Sequence, residues 1–465
     1  MYSYNKHRKV EHRIILVVSF LAGFIFRLLN EILVGVYPIG YDPSVYYLYS
    51  VLCCDYDYIL DAPLYPLFLL FLYRLLGGNI IVAIKLGSSL VIGFFFLSLA
   101  YWAINREHLY SWDVALFVLS FFTFWISLRI AWDLHRNLVS LSFSLIALSI
   151  YEKKPQVGVI MGFLSGVSHP FAIFFTIPPL LEDLKNKKSQ GISLLISITA
   201  GTFIPVIGRY MIKGLSPIKD VSAKAWFIPR SLLLAYFVLI FLPIWVLWII
   251  VFIINKTEFA KHLRESKKEA IWVFILFAES FIFKFGYRIQ FLIFFPLLLI
   301  TFRFINKKYS KKVTVTLIIY NLVCAFAISY FTYRYLPGSF RATMTLMLYG
   351  HFMSYNTAQK AIKLFKKAWS MMNNTTALIV HRRLVLYAYL GGIPICGKDN
   401  RVYLVRGGEN ISYILNIIIG AKCYEKVFLV WFTERETYGE ILPDEFKIID
   451  IEKPLALYEM EISSS

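Results

Sequence analysis

Residues 80–104 read IIVAIKLGSSLVIGFFFLSLAYWAI. A helix of about 20 apolar residues crosses a bilayer, and this run exceeds that length. Working outward, apolar runs recur at 14–35, 111–128, 137–151, 156–168, 170–182, 191–211, 231–254, 270–285, 289–305 and 313–333. Together these predict about eleven transmembrane helices. The runs 156–168 and 170–182 are short, and Pro170, Pro178 and Pro179 interrupt them, so one broken helix is the alternative there. The segment 63–78 is shorter than a span and ends at Gly77-Gly78, which reads as interfacial or re-entrant. The first run lacks a small-residue cleavage site and reads as a retained anchor.

The composition agrees. The 465 residues are 58% hydrophobic and 17% charged, with a mean hydropathy of +0.63. Soluble domains run at roughly 45–50% apolar and about 25% charged. A soluble enzyme, a disordered chain and a disulfide-rich secreted module are excluded. The net charge of +19 would suggest nucleic acid in a soluble protein. Here most Lys and Arg lie in short loops, where they set topology, and no nucleic-acid partner is expected. Lys153-Lys154, Lys185 to Lys188, Lys256 to Lys268 and Arg303 to Lys312 fall on one side with the basic N-terminus. That side is predicted cytoplasmic. An odd number of spans puts everything after the last one outside the cell membrane.

Residues 1–333 therefore read as a membrane bundle and 334–465 as a separate extracytoplasmic domain. In the latter, β-rich stretches at 376–381, 402–405, 426–432 and 446–451 alternate with helical stretches at 356–372, 383–390 and 408–420. This predicts a small α/β domain. The five cysteines show no metal-ligand spacing. Cys396 and Cys423 are the pair that could form a disulfide within that domain. Asn373-Asn374-Thr375, Asn374-Thr375-Thr376 and Asn410-Ile411-Ser412 match the glycosylation acceptor pattern.

The first outer loop, 36–79, is the most informative segment. Between 36 and 73 it carries Asp42, Asp55, Asp57 and Asp61 but no Lys, Arg or Glu. Tyr37, Tyr41, Tyr46, Tyr47, Tyr49, Tyr56 and Tyr58 interleave with them. Asp42 before Pro43 suits an N-cap with proline at N1, and interfacial tyrosines need no chemistry. The functional reading is a carboxylate at the bilayer surface that accepts a proton from an attacking hydroxyl. Tyr41, Tyr46 and Tyr47 would offer apolar faces to a sugar or acceptor. Asp55, Asp57, Asp61 or Asp133 could supply a second carboxylate. Such a group could hold a divalent cation, magnesium or manganese, at a phosphate leaving group.

Positive residues on the outer side run against the topology rule. Arg129, Arg136, Lys213, Lys219, Lys224, Arg230, Lys284, Arg288 and Arg334 are such residues. Snorkelling to headgroups is the bland reading; contact with a lipid phosphate is the sharp one. His169, before Pro170, falls at the same mouth. Within the spans, Arg27 and Glu31 stand at i,i+4 and read as an internal ion pair. Glu279 could pair with Lys284.

Three stretches resemble the GT-C superfamily of glycosyltransferases, the group that includes protein O-mannosyltransferases and lipid A aminoarabinose transferases. The first is Gly40-Tyr41-Asp42-Pro43 with Tyr46-Tyr47. The second is Asp61-Ala62-Pro63-Leu64-Tyr65-Pro66-Leu67 with Tyr73-Arg74-Leu75-Leu76-Gly77. The third is Trp132-Asp133-Leu134-His135-Arg136-Asn137, followed by Ser168-His169-Pro170. The third is similar to stretches in archaeal-type members. The resemblance implies a GT-C-like bundle and inverting transfer of a sugar from a polyprenyl-phosphate (dolichyl-phosphate-like) donor, such as a mannosyl one. The acceptor would be a hydroxyl of a protein, lipid or growing glycan. It makes Asp42 the catalytic carboxylate and Arg288 and His169 donor-phosphate contacts; Arg129 and Arg136 join them as candidates from their place on the outer side. Two departures stand out: Pro43 replaces the second acidic residue of several members, and Ala62 precedes Pro63 where a basic residue is found. A polytopic lipid or solute transporter, or flippase, is the competing reading. It predicts paired half-chain repeats and mid-membrane charges, whereas the charges here gather at the outer mouth.

Overall fold

The computed structural model describes residues 2–40, 47–53, 59–60, 62–110, 112–186, 188–213, 230–283, 286–309, 311–335, 355–405, 409–434, 436–437 and 440–462. Up to Tyr335 the described chain is helical. α1 spans Tyr2–Leu33, α2 Leu48–Cys53, α3 Leu64–Leu75 and α4 Ile80–Asn105. α5 (Trp112–Phe122) and α6 (Trp125–Asp133) occupy the third predicted span and are separated by a break at Thr123-Phe124. α7 is His135–Ile150, α8 Pro155–Ser168, α9 Phe171–Lys185 and α10 Ser189–Lys213. The break at His169-Pro170 makes α8 and α9 two helices. α11 (Leu233–Ile240), α12 (Leu242–Glu265), α13 (Lys267–Ile282), α14 (Gly286–Leu292), α15 (Phe294–Lys308) and α16 (Lys311–Tyr335) complete the bundle.

Among the described residues, five helical segments can cross a membrane by length and composition: Val10–Leu33, Ile80–Asn105, Ser189–Gly208, Leu242–Glu265 and Arg288–Lys308. The other apolar helices are shorter or broken, so length alone does not yield eleven crossings. Burial sorts the five. The apolar window of α15 is 89% buried and that of α1 only 17%, so α15 is central and α1 is on the rim. Ile14, Val18, Ile25 and Leu29 point outward from α1, where only lipid would welcome them.

The bundle has two distinguishable ends. At one end Lys85, near the start of α4, donates to the carbonyls of Glu31 and Gly35 just after α1 turns. At the other, the His12 ring stacks on Tyr110 at 5.5 Å. There Arg106 donates to the Leu148 carbonyl (3.0 Å) and to Glu152 (3.0 Å). Arg303 pairs with Glu107 (2.7 Å) and Glu269 (2.6 Å), and Lys311 with Asp113 (2.9 Å). These pairs join α4, α5, α7, α13, α15 and α16 into a charged floor opposite the first loop.

The C-terminal part is an α/β unit. α17 (Tyr355–Met371) precedes β1 (Thr376–His381); α18 (Val385–Leu390), β2 (Val402–Val405), α19 (Ile411–Gly420) and β3 (Lys426–Phe432) follow. β4 (Glu436–Thr437) and β5 (Glu440–Ile441) form a two-stranded hairpin, and β6 (Lys447–Glu452) and β7 (Leu455–Glu461) return to the main sheet. Its order is β2-β1-β3-β7-β6, with β1 parallel to β2 and β3, and β7 antiparallel to β3 and β6. β1 is buried along its whole length, as expected of a central parallel strand. The sequence reading places no strand at Leu455–Glu461, where Glu459 and Glu461 obscure the pattern; Lys426 pairs with both. Next to β2, the Arg401 guanidinium hydrogen-bonds Asp399 and holds its carboxyl below the usual carboxylate range.

The expected Cys396–Cys423 pairing is corrected. Cys396 is bonded to Cys53 across 343 residues of sequence, with Cα atoms 4.9 Å apart, and Cys423 is free and exposed. Cys53 ends α2 and Cys396 follows α18, so the bond staples the first loop to the α/β unit. Asn410 also has a structural use: its side chain caps α19 by accepting from Tyr413 N–H at 2.7 Å.

Candidate functional site

The start of the first loop is held by a buried charge cluster. Arg27 and Glu31 are 1% and 0% exposed and meet at 2.6 Å. Arg27 donates to the Ile39 carbonyl (2.9 Å), and Glu31 accepts from Ile39 N–H (3.1 Å). The pair expected within α1 thus reaches out and grips the loop backbone three residues before Asp42. Such a pair is costly in an apolar surrounding unless further hydrogen bonds compensate its charges, and the Ile39 peptide supplies one to each partner. Lys85 supports the cluster from α4, 3.9 Å from Glu31.

Beyond it, Tyr41, Asp42 and Tyr46 lie outside the described residues, as do Asp55, Asp57 and Asp61. The chain is described again at Tyr47, which is fully buried. Its ring meets Tyr65 of α3 at 4.9 Å, and both rings pack on His135, at 5.8 and 5.5 Å. Tyr47 is thereby packed within the bundle, with its ring against Tyr65 and His135. Its role is to anchor the far side of the loop segment that holds Asp42.

His135 opens α7, and Arg136 follows it. One turn on, the Ser140 hydroxyl faces Ser165 and the carbonyl of His169 (3.3 Å). Residues four apart share a helix face, so Arg136 lies on the side of α7 that looks toward His169. His169 itself terminates α8 and starts α9: its Nδ1 accepts from Phe171 N–H at 3.1 Å. Arg288 lies on α14 and is exposed. At the start of α14, Gly286 N–H bonds to the Phe283 carbonyl at 3.1 Å. A Cβ on Gly286 would stand 1.6 Å from the Ser280 carbonyl oxygen, so only glycine fits this position. Phe174 of α9 packs on Phe283 at 4.6 Å and ties the end of α13 to His169's helix.

Three of the four residues expected at the donor phosphate, Arg136, His169 and Arg288, thus lie on elements that come together at the first-loop end. Arg129 and Asp133 lie on α6, their side chains outside the described set. So do Lys284, the expected partner of Glu279, and the loop cations Lys219 and Lys224. Two cationic arms beside an imidazole, at the border of an apolar bundle, can bind an oxyanion through charge-assisted hydrogen bonds. Lys85, Tyr65 and His135 were not singled out by the sequence reading. A lysine inside the apolar run 80–104 was the available signal for the first; the others became meaningful only through contact.

The α/β unit closes over this end. Gln359 Nε2 donates to the Tyr37 hydroxyl at 2.8 Å, and the Tyr37 ring meets Tyr355 at 5.6 Å and Tyr387 at 6.2 Å. With the Cys53–Cys396 bond, these contacts place α17, α18 and the first loop in one layer. Among the described residues no group of three or more His, Cys, Asp or Glu side chains gathers to hold a metal.

No protein-family model matches the sequence, and no curated protein matches it. Among solved structures, the crystal structure of ArnT from Cupriavidus metallidurans in the apo state matches with a TM-score of 0.57 at 11% identity. The chain shares its fold with ArnT. The match covers 97% of this chain and 98% of ArnT, so it includes the bundle, the stapled layer and the α/β unit. At that identity the likeness speaks for the fold alone.

Proposed function

We propose that this protein is a GT-C-type membrane glycosyltransferase that moves a sugar from a polyprenyl-phosphate donor to an acceptor hydroxyl with inversion. The observation that carries the reading is that Ile39 is pinned, three residues before Asp42, at the end of the bundle where the elements bearing Arg136, His169 and Arg288 also end. In the proposed step the acceptor oxygen attacks the anomeric carbon and its proton passes to the Asp42 carboxylate. The bond from that carbon to the phosphate oxygen breaks, and the lipid phosphate leaves with the electron pair. Arg136 and Arg288 stabilise the charge that develops on it. One carboxylate opposite one leaving group gives a single displacement. A magnesium or manganese ion would have to be held by the loop carboxylates Asp42, Asp55, Asp57 or Asp61; it would serve to neutralise the leaving phosphate.

Three further features support this reading. The polypeptide alternates between the two bundle ends from α1 to α16 if α5–α6, α11–α12 and α14–α15 are each read as one broken crossing. That gives eleven passes, with the N-terminus cytoplasmic and the α/β unit outside. A disulfide between the first loop and that unit suits an oxidising compartment. The charged floor formed by Arg303, Glu107, Glu269, Lys311 and Asp113 closes the opposite end, which fits a one-sided enzyme better than alternating access. The experiment is steady-state transfer from a labelled polyprenyl-phosphate sugar. Arg136→Ala and Arg288→Ala are each expected to lower kcat/KM for the donor by about ten- to a hundredfold, a loss of one or two charge-assisted contacts. Unchanged donor kinetics in both variants would move the phosphate site elsewhere.

A further inference from the structure

The α/β unit carries a second basic site that the proposed transfer step does not use. Its strand order β2-β1-β3 sends the connection after β1 to one side and the connection into β3 back across it. In open α/β sheets the crevice outside the carboxyl ends of two such strands is where ligands bind. Here those ends carry His381 on β1 and Trp431 on β3, whose rings meet at 4.7 Å across the two strands. Arg382 and Arg383 follow directly on β1. Arg383 is 4% exposed, while Arg382 is half-buried and its side chain makes no hydrogen bond or ion pair among the described residues. The Arg382 Nε and the fully buried Trp431 indole N–H both lack a hydrogen-bond partner among those residues. Buried donors left unmade are costly, and a concentration of them at one strand end calls for an acceptor.

The direction of this crevice follows from contacts. Along α17, Lys360 bonds to the Lys453 carbonyl, Lys363 to Glu452 and Lys367 to Asp450. The start of α17 therefore lies beside the turn joining β6 to β7. Leu455, at that turn, pairs with Phe432 at the carboxyl end of β3. The same start of α17 touches Tyr37 of the first loop through Gln359 and Tyr355. The carboxyl ends of β1 and β3 thus open on the side of the α/β unit that faces the bundle.

We infer that Arg382, Arg383, His381 and Trp431 form a phosphate-class oxyanion site that receives an anionic group of the acceptor and presents its hydroxyl to the first loop. This assignment of the acceptor's charge rests on the proposed transferase reading; the oxyanion site itself does not. The test is binding of inorganic phosphate to the full-length chain carrying Arg136→Gln and Arg288→Gln, which removes the bundle's own phosphate contacts. Phosphate is expected to bind this background saturably, and adding Arg382→Gln is expected to weaken binding about tenfold, the loss of one charge-assisted contact. Absence of binding in the background chain, or binding indifferent to Arg382, would overturn the inference. A second measurement uses the unaltered chain: phosphate should slow phenylglyoxal modification of Arg382, read by mass spectrometry. Modification at an unchanged rate would count equally against the site. Neither readout depends on sugar transfer, so failure of the transferase reading and failure of this one are separate results.

Discussion

Glu31 shows what a single residue does for this architecture. It is fully buried, yet it satisfies Arg27, the Ile39 amide and part of the charge of Lys85. Removing one partner of a buried pair leaves the other uncompensated, at about 3–5 kcal/mol. Glu31→Ala is expected to lower the unfolding midpoint in detergent by several degrees and to speed hydrogen exchange at the Ile39 amide. A midpoint and exchange rate equal to wild type would show that the cluster does not hold the loop. At this scale the sequence was half legible. The i,i+4 spacing of Arg27 and Glu31 announces a pair on one helix face. Nothing in that spacing reveals that the pair also binds a backbone peptide eight residues later, because that contact depends on how the chain turns after α1. Tyr47 is the opposite case: a tyrosine in an aromatic loop reads as a ligand platform, and only the neighbouring Tyr65 and His135 make it a buried anchor.

At the scale of elements, α8 explains how a 14-residue helix holds a place in the bundle. Gly158, Gly162 and Gly166 recur every fourth residue, the small-residue spacing that lets membrane helices approach closely. A Cβ on Gly166 would stand 2.3 Å from the Ile198 carbonyl oxygen of α10, and one on Gly201 would stand 2.2 Å from the Phe163 carbonyl oxygen. The two helices therefore touch backbone to backbone. Gly201→Val must push α8 and α10 apart, and overpacking of this kind costs about 1–3 kcal/mol. A fall in thermal midpoint, with an increase in protease access near His169, is the expected outcome; a midpoint equal to wild type would place the helices further apart than described. Helix positions were legible because long apolar runs demand helices in lipid. The break at Thr123-Phe124 was not, since it falls at neither a proline nor a charge, whereas the one at Phe241 has its signal in Pro243, in the first turn of α12. The strand Leu455–Glu461 was missed because its charged residues pair with a lysine on the neighbouring strand rather than standing free.

For the whole molecule, the decisive relation is between parts far apart in sequence. The first loop and the α/β unit are separated by most of the chain, yet the Cys53–Cys396 bond and the Tyr37 contacts make them one layer. Cysteine spacing could not show this, because a bond across 343 residues leaves no local pattern. The shared end of Arg136, His169 and Arg288 was legible in outline, since alternating spans place all three on the same side as the first loop. How their elements come together depends on the close approach of Gly286 to Ser280 and on the break at His169-Pro170, which only the folded chain specifies. The central claim is that this layer and this cluster serve a lipid-linked transfer centred on Asp42. The most direct test is transfer of labelled sugar from a polyprenyl-phosphate donor by wild type and by Asp42→Asn, with the Cys53–Cys396 bond verified in both. The substitution keeps the shape and removes the base, so a loss of about 10²- to 10⁴-fold is predicted; transfer at the wild-type rate would contradict the assignment of Asp42 as the catalytic carboxylate.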